Sequence, residues 1–156
     1  MRLSILWVGK TRDRRLGALI EEYLTRVRRY CKVDIIEVRE PAGERSSGPR
    51  ERVKREGERI LEVLRPGEFR VALDERGREM ASEEFAAFLG RTLEGTPSGV
   101  MLILGGPYGL SEPVLREADA RWSLSRLTLT HEMARLVALD QVYRAFTILR
   151  GERYHH

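Results

Sequence analysis

Five short apolar runs alternate along this chain with longer stretches in which apolar residues return every third or fourth position. Leu3–Val8, Val33–Val38, Phe69–Leu73, Val100–Leu104 and Leu124–Leu129 predict strands, and helical spacing covers 13–30, 50–64, 82–94, 112–120 and 131–150. Several strand runs are apolar at successive positions, as parallel strands covered on both faces are. The alternation predicts an α/β fold, a mainly parallel sheet with helices on both faces. No repeat and no compositional break divides the chain, so residues 1–156 read as a single domain.

The first helical stretch places Leu16, Ile20, Tyr23, Leu24, Val27 and Cys31 on one side, with Arg12, Arg15, Arg26 and Arg29 along its flank. The last carries two apolar faces, Met133, Leu136, Val137 and Tyr143 on one and Leu139, Val142, Phe146 and Leu149 on the other. A helix apolar on most sides must be covered on most sides. A second subunit would supply the extra cover, which predicts a homodimer. Residues 40–50, rich in Gly, Pro and Ser, read as a surface loop, either a plain connector or an RNA-contacting flap.

Composition narrows the setting. Hydrophobic residues make up 42% and charged residues 33%, a globular rather than disordered balance. A single cysteine, Cys31, excludes an internal disulfide framework and suits a cytoplasmic protein. No run approaches the roughly 20 apolar residues of a membrane span, and the start has no signal-peptide cleavage pattern. The net charge of +4 is uneven: residues 1–60 carry 16 basic and 10 acidic side chains, the remainder 12 and 14. That basic half could meet a phosphate backbone, although an arginine excess over three lysines is equally a matter of general composition.

Candidate chemistry gathers in the second half. No phosphate-loop lysine motif, dinucleotide glycine turn or zinc-spaced Cys/His set is present, and the three histidines lie within the last 26 residues, so metal catalysis is not expected. Val100–Leu104 runs into Gly105-Gly106-Pro107-Tyr108-Gly109-Leu110, then Ser111 at a helix N-cap position. Glycines at the carboxyl end of a buried strand let a ligand approach the backbone, and open α/β sheets bind ligands there. Leu124-Ser125-Arg126-Leu127-Thr128-Leu129 offers an apolar lining with backbone amides, Thr130 a cap for the last helix, and Arg153-Tyr154-His155 a cation, a ring and a proton acceptor together. On the residues alone, the ligand of the glycine turn stays open, and a nucleotide-binding α/β enzyme and a non-catalytic binding protein both fit.

These segments, with Val8-Gly9-Lys10, Glu22-Tyr23, Val71-Ala72-Leu73-Asp74 and Tyr143-Arg144-Ala145, resemble in order and spacing the RlmH family, knotted methyltransferases of the SPOUT class. The resemblance implies a trefoil knot within about 70–156 and a homodimer. It implies an S-adenosylmethionine-dependent enzyme that methylates N3 of a pseudouridine in large-subunit (23S) ribosomal RNA on the assembled ribosome. By motif, Leu73, Gly105, Gly106, Leu124, Ser125, Arg126, Leu127, Thr128 and Leu129 would line the cofactor pocket. His131, Arg135, Tyr154 and His155 would face the RNA or the reacting base, with His155 or His131 taking the N3 proton.

Overall fold

A computed structural model describes residues 1–41 and 48–154. The elements run β1 (Arg2–Val8), α1 (Arg14–Val27), β2 (Lys32–Val38), α2 (Pro49–Val63), β3 (Phe69–Glu79), α3 (Ser82–Gly95), β4 (Val100–Ile103), α4 (Glu112–Arg116), β5 (Ala120–Ser123) and α5 (His131–Leu149). The strands form one five-stranded sheet in the order β2-β1-β4-β3-β5, and each neighbouring pair is parallel. The expected α/β architecture is therefore the one observed.

The two faces follow from the two-residue period of a strand. Leu3, Ile5 and Trp7 of β1 and Val100 and Leu102 of β4 point into one core, shared with α1, α3 and α5. Leu6, Val8, Met101 and Ile103 point the other way, into a smaller core closed by Ile60 of α2 and Val114 of α4. Burial on both faces is why these strands are apolar at nearly every position, Ser4 of β1 being buried with its hydroxyl donating to Glu68.

Several boundaries differ from the sequence reading: β3 runs beyond Leu73 to Glu79, α1 ends at Val27, and the fifth strand and α4 also shift. The fifth strand is Ala120–Ser123, and the Leu124–Leu129 run is irregular. The Ser123 hydroxyl donates to the Ser125 carbonyl at 3.1 Å, and the Ser125 hydroxyl accepts from the Leu127 amide at 2.9 Å. Such local side-chain bonds divert the backbone from a ladder. α4 stops at Arg116, because Asp119 already joins the sheet edge: its amide donates to the Arg70 carbonyl and its carboxylate accepts from the Arg70 amide, each at 2.8 Å.

α5 packs between α1 and α3, which bury Ala138, Leu139, Val142, Ala145 and Phe146. The second cover that the sequence assigned to another subunit thus comes largely from within the chain. Leu136, Val137 and Tyr143 stay half-buried, and Met133 and Leu149 exposed. Thr130 caps the helix, its hydroxyl accepting from the Met133 amide at 3.3 Å.

Candidate active site

β4, β3 and β5 are consecutive in the sheet, so their carboxyl ends bring three distant segments to one place. Between them lies a cleft of about 500 Å³, lined by Leu73–Arg76, Leu104–Leu110, Trp122, Leu124, Ser125, Leu127–Leu129, His131 and Ala134. That volume suits a small-molecule ligand.

The glycine segment is a tight turn, closed by the Gly109 amide donating to the Gly106 carbonyl at 3.1 Å, with Gly109 at φ +82°. Close packing excludes side chains behind it. A Cβ on Gly105 would stand 2.7 Å from the Gly109 backbone, and one on Gly106 would stand 2.7 Å from the Glu56 carboxylate. Glu56 is buried on α2, its carboxylate accepting from Arg52 Nε at 3.1 Å. The next residue, Gly57, lets α2 press against Ser111 at the head of α4. α2 therefore fixes the turn from behind.

β3 supplies the second wall. Its register against β5 breaks between Leu73 and Arg78, both of which align with Trp122, so residues 74–77 loop out into the cleft. Gly77 allows this, because a Cβ there would lie 2.7 Å from the Arg121 and Trp122 backbone. Asp74 is largely buried in the excursion. Its Oδ2 accepts no hydrogen bond among the described residues, and Arg121 Nη1 stands 3.8 Å away. Arg76 reaches the Glu112 carboxylate at 3.4 Å.

His131 opens α5 at the cleft, its side chain 24% exposed and its Nε2 3.9 Å from Glu132. Burial, then the positive charge of Arg135, pushes its pKa below the ordinary value of 6.5. Glu132 turns the other way: one carboxylate oxygen accepts from the Arg12 and Asp13 amides, each at 3.0 Å, tying the loop after β1 to α5.

Of the residues that the sequence singled out for a cofactor, Leu73, Gly105, Gly106, Leu124, Ser125, Leu127, Thr128 and Leu129 all line this cleft. Arg126 does not: its side chain is 87% exposed and lies 4.0 Å from Glu79. The other group is scattered. Arg135, expected to face RNA, is fully buried. It donates to the Val8 carbonyl at 2.6 Å and to Thr11 Oγ1 at 3.0 Å, and lies over the Trp7 ring. An unpaired polar end of β1 draws it inward. Tyr154 packs on Tyr143, ring centroids 4.7 Å apart, under Arg144. His155, like most of the 40–50 loop, lies outside the described residues. Sequence reasoning missed the 74–77 excursion, for which Gly77 was the only signal, and the support from Glu56 and Gly57, a buried acid–glycine pair inside a charged helix.

Residues 1–155 match the family model described as "Predicted SPOUT methyltransferase". Over 156 residues, all of both chains, the protein is 44% identical to "Ribosomal RNA large subunit methyltransferase H" of Geotalea daltonii and 43% identical to the protein of that name from Thermotoga neapolitana. In fold it is similar to the crystal structure of a probable methyltransferase from Bordetella pertussis. The TM-score there is 0.59 at 16% identity, covering 92% of this chain and 93% of that one.

Proposed function

The chain belongs to the SPOUT methyltransferase family, and from that premise we propose that it uses S-adenosylmethionine to methylate N3 of a pseudouridine in large-subunit ribosomal RNA on the assembled ribosome. The observation that carries the reading is the cleft, in which the glycine turn, the 124–129 segment and His131 meet at the carboxyl ends of three adjacent strands. Full-length relatives named as ribosomal RNA large subunit methyltransferases supply the substrate.

The cleft suits the cofactor. Leu73, Leu104, Leu124, Leu127, Leu129 and Ala134 make an apolar bed for a flat ring, Ser125 and Thr128 offer polar contacts, and Asp74 and Glu75 place negative charge at one wall. When bound, the cofactor supplies an electrophilic methyl group. The residues must hold the base in line and take up the proton that leaves N3. His131, whose pKa burial lowers below 6.5 and so favours the neutral form, accepts that proton at a ring nitrogen.

Tyr154 does not line the same chain's cleft. Tyr143, on which it packs, lies twelve residues beyond His131, about 18 Å along the helix at 1.5 Å per residue. We therefore propose that the enzyme is a homodimer in which the tail, His155 included, completes the partner subunit's site. The knot expected within about 70–156 belongs to the same reading: after β5, beyond β3 at the sheet edge, α5 returns to the end of β1. Single-molecule stretching to a contour length equal to the full extended sequence would rule the knot out.

The decisive test is nucleoside mass spectrometry of ribosomal RNA from cells lacking the gene, with tritiated methyl transfer by the purified protein to their ribosomes. One methylpseudouridine should vanish and be restored in vitro. An unchanged RNA, with no transfer, overturns the reading.

A further inference from the structure

Tyr108 stands at the lip of the cleft and is 56% exposed, an aromatic ring held out by a rigid turn. Pro107 precedes it, and the Gly106–Gly109 hydrogen bond closes the turn beneath it. Among the described residues its one ring partner is Arg52, whose guanidinium carbon lies 5.9 Å from the ring centroid. Arg52 is itself fixed, 3.1 Å from Glu56 and 3.6 Å from Glu40, so two carboxylates already answer its charge. The platform therefore offers a flat, preorganised surface rather than a free cation. Leu127, also at the cleft and 77% exposed, adds apolar surface from the other loop.

We infer that Tyr108, backed by Arg52, is a stacking platform for an unpaired nucleobase beside the one that receives the methyl group. This rests on the RNA substrate proposed above. An exposed aromatic ring is how proteins hold an unpaired base of single-stranded nucleic acid, the base stacking on its face. A neutralised Arg52 under the ring favours a flat neutral ligand over a phosphate. The ring fixes the neighbour of the target and thereby limits the poses of the target base in the cleft.

The test compares wild type with Tyr108→Ala, Tyr108→Phe and Tyr108→Trp in tritiated methyl transfer to ribosomes lacking the modification. Calorimetry with S-adenosylhomocysteine and sedimentation for assembly state run alongside. The KM for ribosomes should rise about 5- to 100-fold in Tyr108→Ala, the range of one base–aromatic stack. The Phe and Trp variants should stay near wild type, with S-adenosylhomocysteine affinity held within about twofold. An unchanged ribosome KM in Tyr108→Ala overturns the platform. So does a parallel loss of S-adenosylhomocysteine affinity, which makes Tyr108 part of the cofactor wall, or a loss of assembly, which makes it a contact for a second copy. Absence of transfer by wild type instead fails the functional reading, and the platform with it.

Discussion

Gly57→Ala asks whether α2 really sets the shape of the glycine turn. The added Cβ would fall on Ser111 Oγ, 3.0 Å from Ser111 Cβ and 3.5 Å from Val114 Cγ2. Two terms oppose each other. Alanine in a helix interior is favoured over glycine by about 1 kcal/mol, while overpacking costs about 1–3 kcal/mol. The expected net loss is about 0–2 kcal/mol. Ser111→Gly removes the obstruction at little cost, because Ser111 sits at the N-cap of α4 without a side-chain capping bond, and glycine there costs only a few tenths of a kcal/mol. In that background Gly57→Ala should stabilise by about 1 kcal/mol, a reversal of sign and a coupling of about 1–3 kcal/mol. Urea denaturation of the four proteins at one fixed concentration measures it, the concentration held because assembly shifts apparent stability. Calorimetry with S-adenosylhomocysteine should show weaker binding in Gly57→Ala and recovery in the double variant, since the push on Ser111 is transmitted to the turn. If Gly57→Ala stabilises both backgrounds equally, α2 does not abut the turn and the reasoning fails.

Four further outcomes follow from the same geometry. Burial lowers the pKa of His131, so its base form predominates at neutral pH and is lost as pH falls through a value below 6.5; single-turnover methylation should be flat above neutrality and decline in acid, and His131→Ala should lose most of the rate together with that acid limb. Thr130→Ala removes the cap of α5 and should cost about 1 kcal/mol, a Tm fall of about 2–4 °C by calorimetry; an unshifted Tm would show that the cap contributes nothing. Asp74→Asn should weaken the sulfonium cofactor by several-fold more than its neutral thioether product, both read by calorimetry, whereas equal losses would mean that Asp74 senses shape and not charge. Mixing His131→Ala protein with a variant truncated before Tyr154 should regain up to about a quarter of wild-type activity, because half the dimers are mixed and each holds one complete site; no recovery would place the tail in its own chain's site.

The sheet and its helices were legible because burial on both faces leaves a mark at every position. Leu3–Val8 and Val100–Leu104 could hardly be anything but central strands. The glycine turn was legible for a different reason: Gly105 and Gly106 lie where a strand must end and a helix must begin. Strand order was hidden, since nothing in Phe69–Leu73 says that it lies between β4 and β5, and only that order brings Leu73 beside Gly105. Leu124–Leu129 misled because Leu127-Thr128-Leu129 alternates as a strand does, while Ser123 and Ser125 divert the backbone through bonds of their own. Arg135 misled because an arginine one turn into a helix at a cleft usually faces water. The carbonyl of Val8 and the hydroxyl of Thr11 needed a donor from within, and no periodicity registers that need.

Under the proposed homodimer, the tail belongs to a site that one chain does not assemble alone. Arg153-Tyr154-His155 carries chemistry suited to a reacting base, yet Tyr154 is held by Tyr143 and Arg144 about 18 Å along α5 from His131. Moving it to its own cleft would break that packing and undo the bond between Tyr30 and Glu152, 2.7 Å long, that anchors the turn after the helix. A second copy needs no such rearrangement. The rings of Tyr23, Tyr143 and Tyr154 and the half-buried Leu136 and Val137 give α1 and α5 a surface on which a symmetric partner could settle, and a twofold arrangement would carry each tail toward the other subunit's cleft. The cofactor cleft and the tail that completes it would then come from different chains, so a monomeric variant should still bind S-adenosylhomocysteine while transferring no methyl group.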